Sequence, residues 1–409
     1  MRTLSIKIPN VSESLEEKLE AMILRGAFWP DRPIASERRL AEEFDVSRTS
    51  LRNALASLLS RGLLSKTGTR YYTTNIMADV FGPGLGQIAV QDPKPLLDYW
   101  VLLFENAVAL AREKAQGKDS LAINEAAGQL QMALKSGQPQ AMSEAFSTLS
   151  RAIFDGCYNF FLSQTHHALM GVMQPYVEQS FALLAQSPKR EDLLTSVEGL
   201  AESRFDVGPL YEGLEPGFRP QASGAHEIAA SKDIDPEDVD ASPLVDIVSR
   251  NPLFLEAVYE LRLITETHAA AAAAEHLSGE QQGQLEAHLT YMKAFEDGAA
   301  RRYSKLDTEL HRLIAEGAQN PVFAFVDAAL SPVFSRTTNQ WLSKHLEIRS
   351  DQSAIHMQHK QIVDAITMRN GPKARAAMTE HLAYVLRNLR HLRELDQLQE
   401  IALARELLR

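Results

Sequence analysis

The sequence predicts a mainly α protein, with an N-terminal winged helix-turn-helix followed by two all-α helical bundles. Three observations lead there. Apolar residues recur at helical spacing from residue 95 to 214 and again from Asn251 onward. The stretch that alternates like paired short strands lies near the N-terminus, where Leu63-Leu64-Ser65 and Tyr71-Tyr72-Thr73 flank Thr67-Gly68-Thr69. Segments of the two helical stretches also correspond to each other at a constant offset of 161 residues. The implied organisation is a head over 1–78, a first bundle over 90–214, a linker over 215–244 and a second bundle over 245–396.

In the head, Ser14 to Arg25 sets Leu15, Leu19, Met22 and Ile23 on one stripe, the pattern of an amphipathic helix. Pro30-Asp-Arg-Pro33 reads as a turn. Ser36 is placed to cap a short second helix through Leu40, Ala41 and Phe44, because its hydroxyl can accept from an open backbone N–H. Asp45-Val46 turns the chain, Ser47 caps a third helix reaching Arg61, and Gly62 closes it. Leu51, Leu55 and Leu58 face inward, while Arg48, Thr49, Ser50 and Arg52 lie on the exposed start of that helix. Such a position meets base edges in a major groove, arginine suiting guanine or phosphate and hydroxyls suiting either.

Charge supports a nucleic-acid role for the head alone. The chain carries −11 overall, but residues 1–75 hold 12 Lys/Arg against 9 Asp/Glu, which is +3 and leaves −14 on the remainder. Apolar residues make up 45% of 409, enough for sizeable cores, and no apolar run approaches membrane-span length. The alanine run Ala269 to Ala274 is helix interior. The single cysteine, Cys157, excludes an intrachain disulfide framework and fits a reducing compartment, and no cationic start leads into an apolar targeting segment. The expected location is therefore cytoplasmic. Between the bundles, Pro216, Pro220, Pro236 and the acidic cluster Asp233 to Asp240 read as an exposed linker.

The second bundle reads as helices over 256–276, 278–296, 299–317, 321–342, 356–369 and 372–392. Ser278-Gly-Glu-Gln281 is a capping box, and Asn370-Gly371-Pro372 a stop–start signal. Asp307 and His311, four residues apart, share one helix face. His359 and His381, each on its own later helix, could converge on that face, as metal ligands do between facing helices of a bundle. One carboxylate and three neutral imidazoles suit a borderline-soft divalent ion and leave room for an exogenous ligand. Other histidines of this half, such as His268 and His288, read as hydrogen-bonded core.

Two resemblances sharpen the reading. Ile34-Ala-Ser-Glu-Arg-Arg-Leu-Ala41, then Val46-Ser-Arg-Thr-Ser-Leu-Arg52 and Ala54-Leu55, resembles the head of the GntR family of bacterial regulators over roughly residues 12–75. That resemblance implies operator contacts from Arg38, Arg48, Thr49 and Arg52. Ala35 stands where the family usually has proline, and the wing lacks its second glycine, leaving Arg70 to enter a narrow minor groove. Arg262-x-x-x-Glu266, Asp307-x-x-x-His311, Asn320-Pro321, His359 and His381-Leu382 resemble the FCD sensor domain attached to many such regulators. It implies a divalent ion, zinc first with nickel or manganese as alternatives, on Asp307, His311, His359 and His381, a small organic acid at the open positions, and a bidentate contact from Arg262 to the effector carboxylate.

The first bundle then reads as a degenerate FCD-like copy. Glu105-Asn-Ala-Val-Ala-Leu-Ala111 falls on Glu266 and its alanine run, and Arg151-x-Ile153-x-Asp155-Gly156-x-x-Asn159 on Arg312-x-Ile314-x-Glu316-Gly317-x-x-Asn320. Phe146, Ser150, Arg190 and Glu212 stand at the four ligand positions and cannot make that site; an Arg190–Glu212 ion pair is expected instead. The functional expectation is a ligand-responsive DNA-binding transcriptional regulator, a repressor, working as a homodimer on a double-stranded operator and not at a membrane. The alternatives are a metal-dependent hydrolase or lyase, since an ion with an open position can activate water, and a direct metal-ion sensor. An enzyme is disfavoured because no obvious general base lies near the quartet and no nucleophile motif occurs.

Overall fold

The structure, a computed structural model, describes residues 11–24, 28, 33–200, 204–219, 239–250, 252–294, 300–345 and 349–407. Most of the turn expected before Pro33 and most of the linker expected over 215–244 lie outside the described residues.

The head folds as local signals dictate. Helix α1 (Val11–Leu24) buries Leu15, Leu19 and Ile23. Helix α2 (Glu37–Glu43) is capped by Ser36, which accepts from the Arg39 amide, and α3 (Arg48–Ser60) by Ser47, which accepts from the Ser50 amide. Each cap satisfies a donor that a helix start leaves open. Gly62 closes α3 with φ +71°, a conformation that costs other residues strain. Strands β1 (Leu64–Thr67) and β2 (Arg70–Thr73) pair antiparallel, with Leu64 opposite Thr73. Leu51, Leu55 and Leu58 are fully buried, each stabilising the head by about 2 kcal/mol. Arg61 ties the end of α3 to α1 through Glu16 at 2.9 Å and through Glu20. This is the winged helix-turn-helix the sequence predicts.

Beyond it follow α4 (Ile76–Gln91) and α5 (Lys94–Lys114). The chain divides into two compact units, residues 1–82 with 104–217 and residues 83–103 with 218–409, so both helices contribute to each. In the first unit α6 (Lys118–Ser136) packs on α7 (Pro139–Gly156), which packs on α8 (Phe160–Leu184). Helix α9 (Lys189–Glu198) packs on α6 and on α10 (Gly208–Leu214). Phe104, Phe146, Phe154, Phe161 and Phe181 make its core.

The second unit adds α11 (Ser242–Arg250), α12 (Pro252–His276), α13 (Gly279–Lys293), α14 (Ala300–Gly317), α15 (Pro321–His345), α16 (Arg349–Thr367) and α17 (Gly371–Leu407). Helix α12 is central, packing against α14, α16 and α17, and α14 packs against α13 and α15. The capping box at Ser278 forms in both directions with Gln281. Helix α17 runs well past the expected stop at Leu392, because no glycine or proline follows Pro372. In this unit the Phe325 ring fills the space over Gly84, where any side chain would collide with it.

The two bundles repeat each other's corners. Helix α7 ends and α8 begins 161 residues before α14 ends and α15 begins. At the corners Tyr158 and Gln319 take φ +50° and +57°, and the side chains of Asn159 and Asn320 accept from the first turn of the helix that follows. Among the described residues no helix is long and apolar enough to cross a membrane.

Candidate metal centre and nucleic-acid interface

Packing brings the predicted quartet together. Helix α14 supplies Asp307 and His311 from one buried face, α16 supplies His359, and α17 supplies His381. One ligand-type atom from each lies within 4.8 Å of those of the other three, and all four residues are buried. Among the described residues no other group of three or more His, Cys, Asp or Glu meets that geometry. The three imidazole centroids are 4.6 to 5.7 Å apart. His359 Nε2 stands 3.1 Å from Asp307 Oδ1, yet among the described residues neither ring nitrogen of His359 is aligned with a hydrogen-bond partner, and His311 Nε2 has none either. A buried polar atom without a partner costs on the order of 1–3 kcal/mol, a penalty that coordination to a shared cation would remove. The residues therefore fit a divalent ion.

Electrostatics agree with that use. Burial, with His359 and His311 adding to it, holds His381 well below the usual imidazole range, and burial lowers His359 too, so both rings are neutral donors. Burial opposes ionisation of Asp307, but His359, His311 and Arg262 outweigh it and keep the carboxylate charged. His311 moves the other way: burial lowers it, and the Glu266 carboxylate more than compensates.

Two outer contacts escaped the sequence reading. Glu266 on α12 receives the His311 Nδ1 edge and, on its other oxygen, Arg262 Nε. Gln358 Oε1 lies 3.1 Å from His381 Nδ1. Arg262 is buried beside the quartet, its guanidinium carbon 4.4 Å from the Phe334 ring centre and its Nη1 3.5 Å from the Tyr259 hydroxyl. Glu266 stands inside a quoted motif, but nothing in its spacing pairs it with a histidine 45 residues away.

A second buried acid lies nearby. Burial, with Glu266 adding, pushes the Asp327 carboxyl up to about 7, and its Oδ2 and the Tyr99 hydroxyl have no hydrogen-bond partner among the described residues. A folded value above the unfolded one means that the folded chain holds a proton the unfolded chain has lost. Stability is then lost as pH rises from about 4 to about 7 and stays lost above that. Asp327→Asn is therefore expected to raise the melting temperature of the chelator-treated protein at pH 8, by up to ~4 kcal/mol of stability, with little effect at pH 4. Equal melting of variant and wild type at pH 8 would count against a proton-holding Asp327.

Among its described residues the first bundle brings no such donors together. Phe146 is buried, its ring 5.4 Å from that of Phe181, and Ser150 donates to the Ser147 carbonyl at 3.2 Å. The expected Arg190–Glu212 pair is not what forms: Glu212 pairs with the adjacent Lys189 at 3.1 Å, and Arg190 donates to the Ala185 carbonyl.

In the head, Arg38, Arg48, Thr49, Arg52 and Arg70 are exposed, Arg70 at the start of β2. Arg52 Nε meets Glu37 Oε2 at 2.8 Å, with Arg48 Nη2 at 3.8 Å from the same oxygen, and the Tyr71 hydroxyl donates to Glu37 Oε1. Glu37 thus ties two arginines of α3 to the wing. Arg38 lies 3.9 Å from Glu42. Ser50 is more enclosed: its hydroxyl is 2.9 Å from that of Ser47 and its carbonyl accepts from Ser12.

Residues 11–69 match the family described as "Bacterial regulatory proteins, gntR family", and residues 257–384 match "FCD domain". The chain joins a GntR-family head to an FCD domain. Among curated relatives, the HTH-type transcriptional repressor NagR of Bacillus subtilis is 46% identical over 48 residues, 12% of this chain and 20% of that protein. The HTH-type transcriptional repressor NanR of Cronobacter sakazakii is 43% identical over 70 residues, covering 17% and 27%. NanR of Salmonella newport is 32% identical over 124 residues, covering 30% and 46%. The chain spans less than half the length of these relatives. A solved Streptococcus agalactiae GntR structure covers 92% of this chain and 99% of its own at 15% identity, with a TM-score of 0.27. The family and these relatives are those of transcriptional regulators, not enzymes.

Proposed function

We propose that the chain is a ligand-responsive transcriptional repressor that grips double-stranded operator DNA with its GntR head and a small carboxylate effector with its FCD domain. One observation carries the sensor half: four side chains of metal-binding type converge from three helices, with buried ring nitrogens that lack partners among the described residues. Three imidazoles and a carboxylate suit zinc best, with nickel or manganese as alternatives. When bound, the ion supplies Lewis acidity and open coordination positions for carboxylate oxygens. Asp307, His311, His359 and His381 would hold it. Arg262, fixed on Phe334 beside them, adds the positive charge that recognises the effector's anionic end.

On the DNA side Arg48, Thr49, Ser50 and Arg52 face base edges, with Arg38 and Arg70 as backbone and minor-groove contacts. One head covers one half-site, so a homodimer on a palindromic operator follows, at work in the cytoplasm. The repressor sense comes from the description that NagR and NanR carry. The first bundle, sharing the α7–α8 corner with the α14–α15 corner of the second but not its ligands, is a degenerate FCD-like copy.

A thermal-shift screen of the full chain tests this, using sugar acids, hydroxy acids and dicarboxylates with and without chelator. One class is expected to raise the melting temperature only when metal is present, by ~2.7 kcal/mol of stabilisation at a hundredfold excess over Kd. The same compound should release a fluorescent operator duplex. Shifts that survive the chelator would reject the metal as the effector's anchor.

A further inference from the structure

We propose that Glu266 is a positioning residue of the metal centre, turning the His311 ring so that Nε2 is the atom offered to the ion. This rests on the reading of Asp307, His311, His359 and His381 as a metal site.

A neutral imidazole carries one N–H and one lone pair, and the partner of one nitrogen decides which role the other plays. Here the Glu266 carboxylate takes the Nδ1 edge of His311 from α12, a helix that supplies no ligand. A carboxylate can only accept, so in the neutral ring that binds an ion the hydrogen sits on Nδ1 and the lone pair on Nε2. Nε2 is the nitrogen of His311 without a hydrogen-bond partner among the described residues. Glu266 cannot swing away, because Arg262 binds its other oxygen and all three side chains are buried. His381 repeats the arrangement with a weaker acceptor, the Gln358 amide oxygen on its Nδ1. Two of the three rings are thus aimed from outside, one by a clamped charge.

The competing role for Glu266 is as counter-ion for buried Arg262 and nothing more. The double substitution Arg262→Leu with Glu266→Leu separates the two, since it removes both charges together, leaves no unpaired buried ion and keeps all four ligands. Zinc affinity of the full-length chain, measured by competition with a chromophoric chelator, is expected to fall by roughly 10- to 100-fold. The visible absorption bands of the cobalt(II)-loaded chain should change shape, because His311 no longer holds a fixed orientation. Glu266→Gln, whose amide oxygen can still accept from Nδ1, should retain wild-type-like bands with a loss of about tenfold, the lower end of that range. It also carries the comparison if the double variant fails to fold. Wild-type zinc affinity and cobalt bands in either variant would overturn the proposal. A wild-type chain that takes up neither ion would overturn it together with the metal reading, and the unsubstituted protein alone would reveal that.

Discussion

A chain carrying both His311→Ala and His381→Ala is expected to leave dialysis without stoichiometric divalent metal. It should also lose its melting response to carboxylates while binding operator DNA as before. The site gathers its donors from three helices, and this double change removes one ligand from α14 and one from α17. Asp307 and His359 remain, and two donors cannot retain an ion whose binding free energy depends on all four and is on the order of 10 kcal/mol for zinc held by four protein ligands. The head belongs to the other compact unit, so its fold should be untouched. Elemental analysis, thermal shift and a DNA-binding titration on one preparation read all three effects. One metal per chain in the variant would sink the quartet as the site.

The parts of this molecule written in local chemistry were legible. Ser36, Ser47 and Ser278 announce helix starts because a hydroxyl reaches an amide only two or three residues on, and Gly62 announces a stop because φ +71° suits little else. Asp307 and His311 declare a shared face because one helical turn separates them. Pairing across helices was not legible. The Glu266–His311 contact depends on how α12 crosses α14, and the Gln358–His381 contact on how α16 meets α17. Glu212 was matched to Arg190 by analogy with a distant position, whereas the adjacent Lys189 reached it first. The division of α5 between two units likewise follows from packing that no residue pattern in Lys94–Lys114 declares.

Arg48→Ala combined with Arg52→Ala is expected to do the reverse of the histidine pair: abolish specific operator binding and leave metal content and carboxylate response intact. Both guanidinium groups are largely exposed, with side-chain accessibilities of 61% and 59%, and both lean on Glu37. Exposed ion pairs of this kind contribute about 0–1 kcal/mol, so the fold should hardly notice their loss, the more so because Tyr71 still donates to Glu37. Against DNA the same side chains are worth far more. A base contact contributes about 1–3 kcal/mol, so losing two should weaken specific binding by roughly 30-fold or more at fixed salt. The salt dependence discriminates between base and phosphate roles. If either arginine neutralises a phosphate, the slope of log affinity against log salt should flatten by about 0.9 per lost contact; if both read bases, discrimination between operator and random duplex should collapse at an unchanged slope. Arg38→Ala, on the exposed face of α2, should flatten the slope with discrimination preserved. Unchanged operator affinity in the double variant would mean that α3 does not enter the groove.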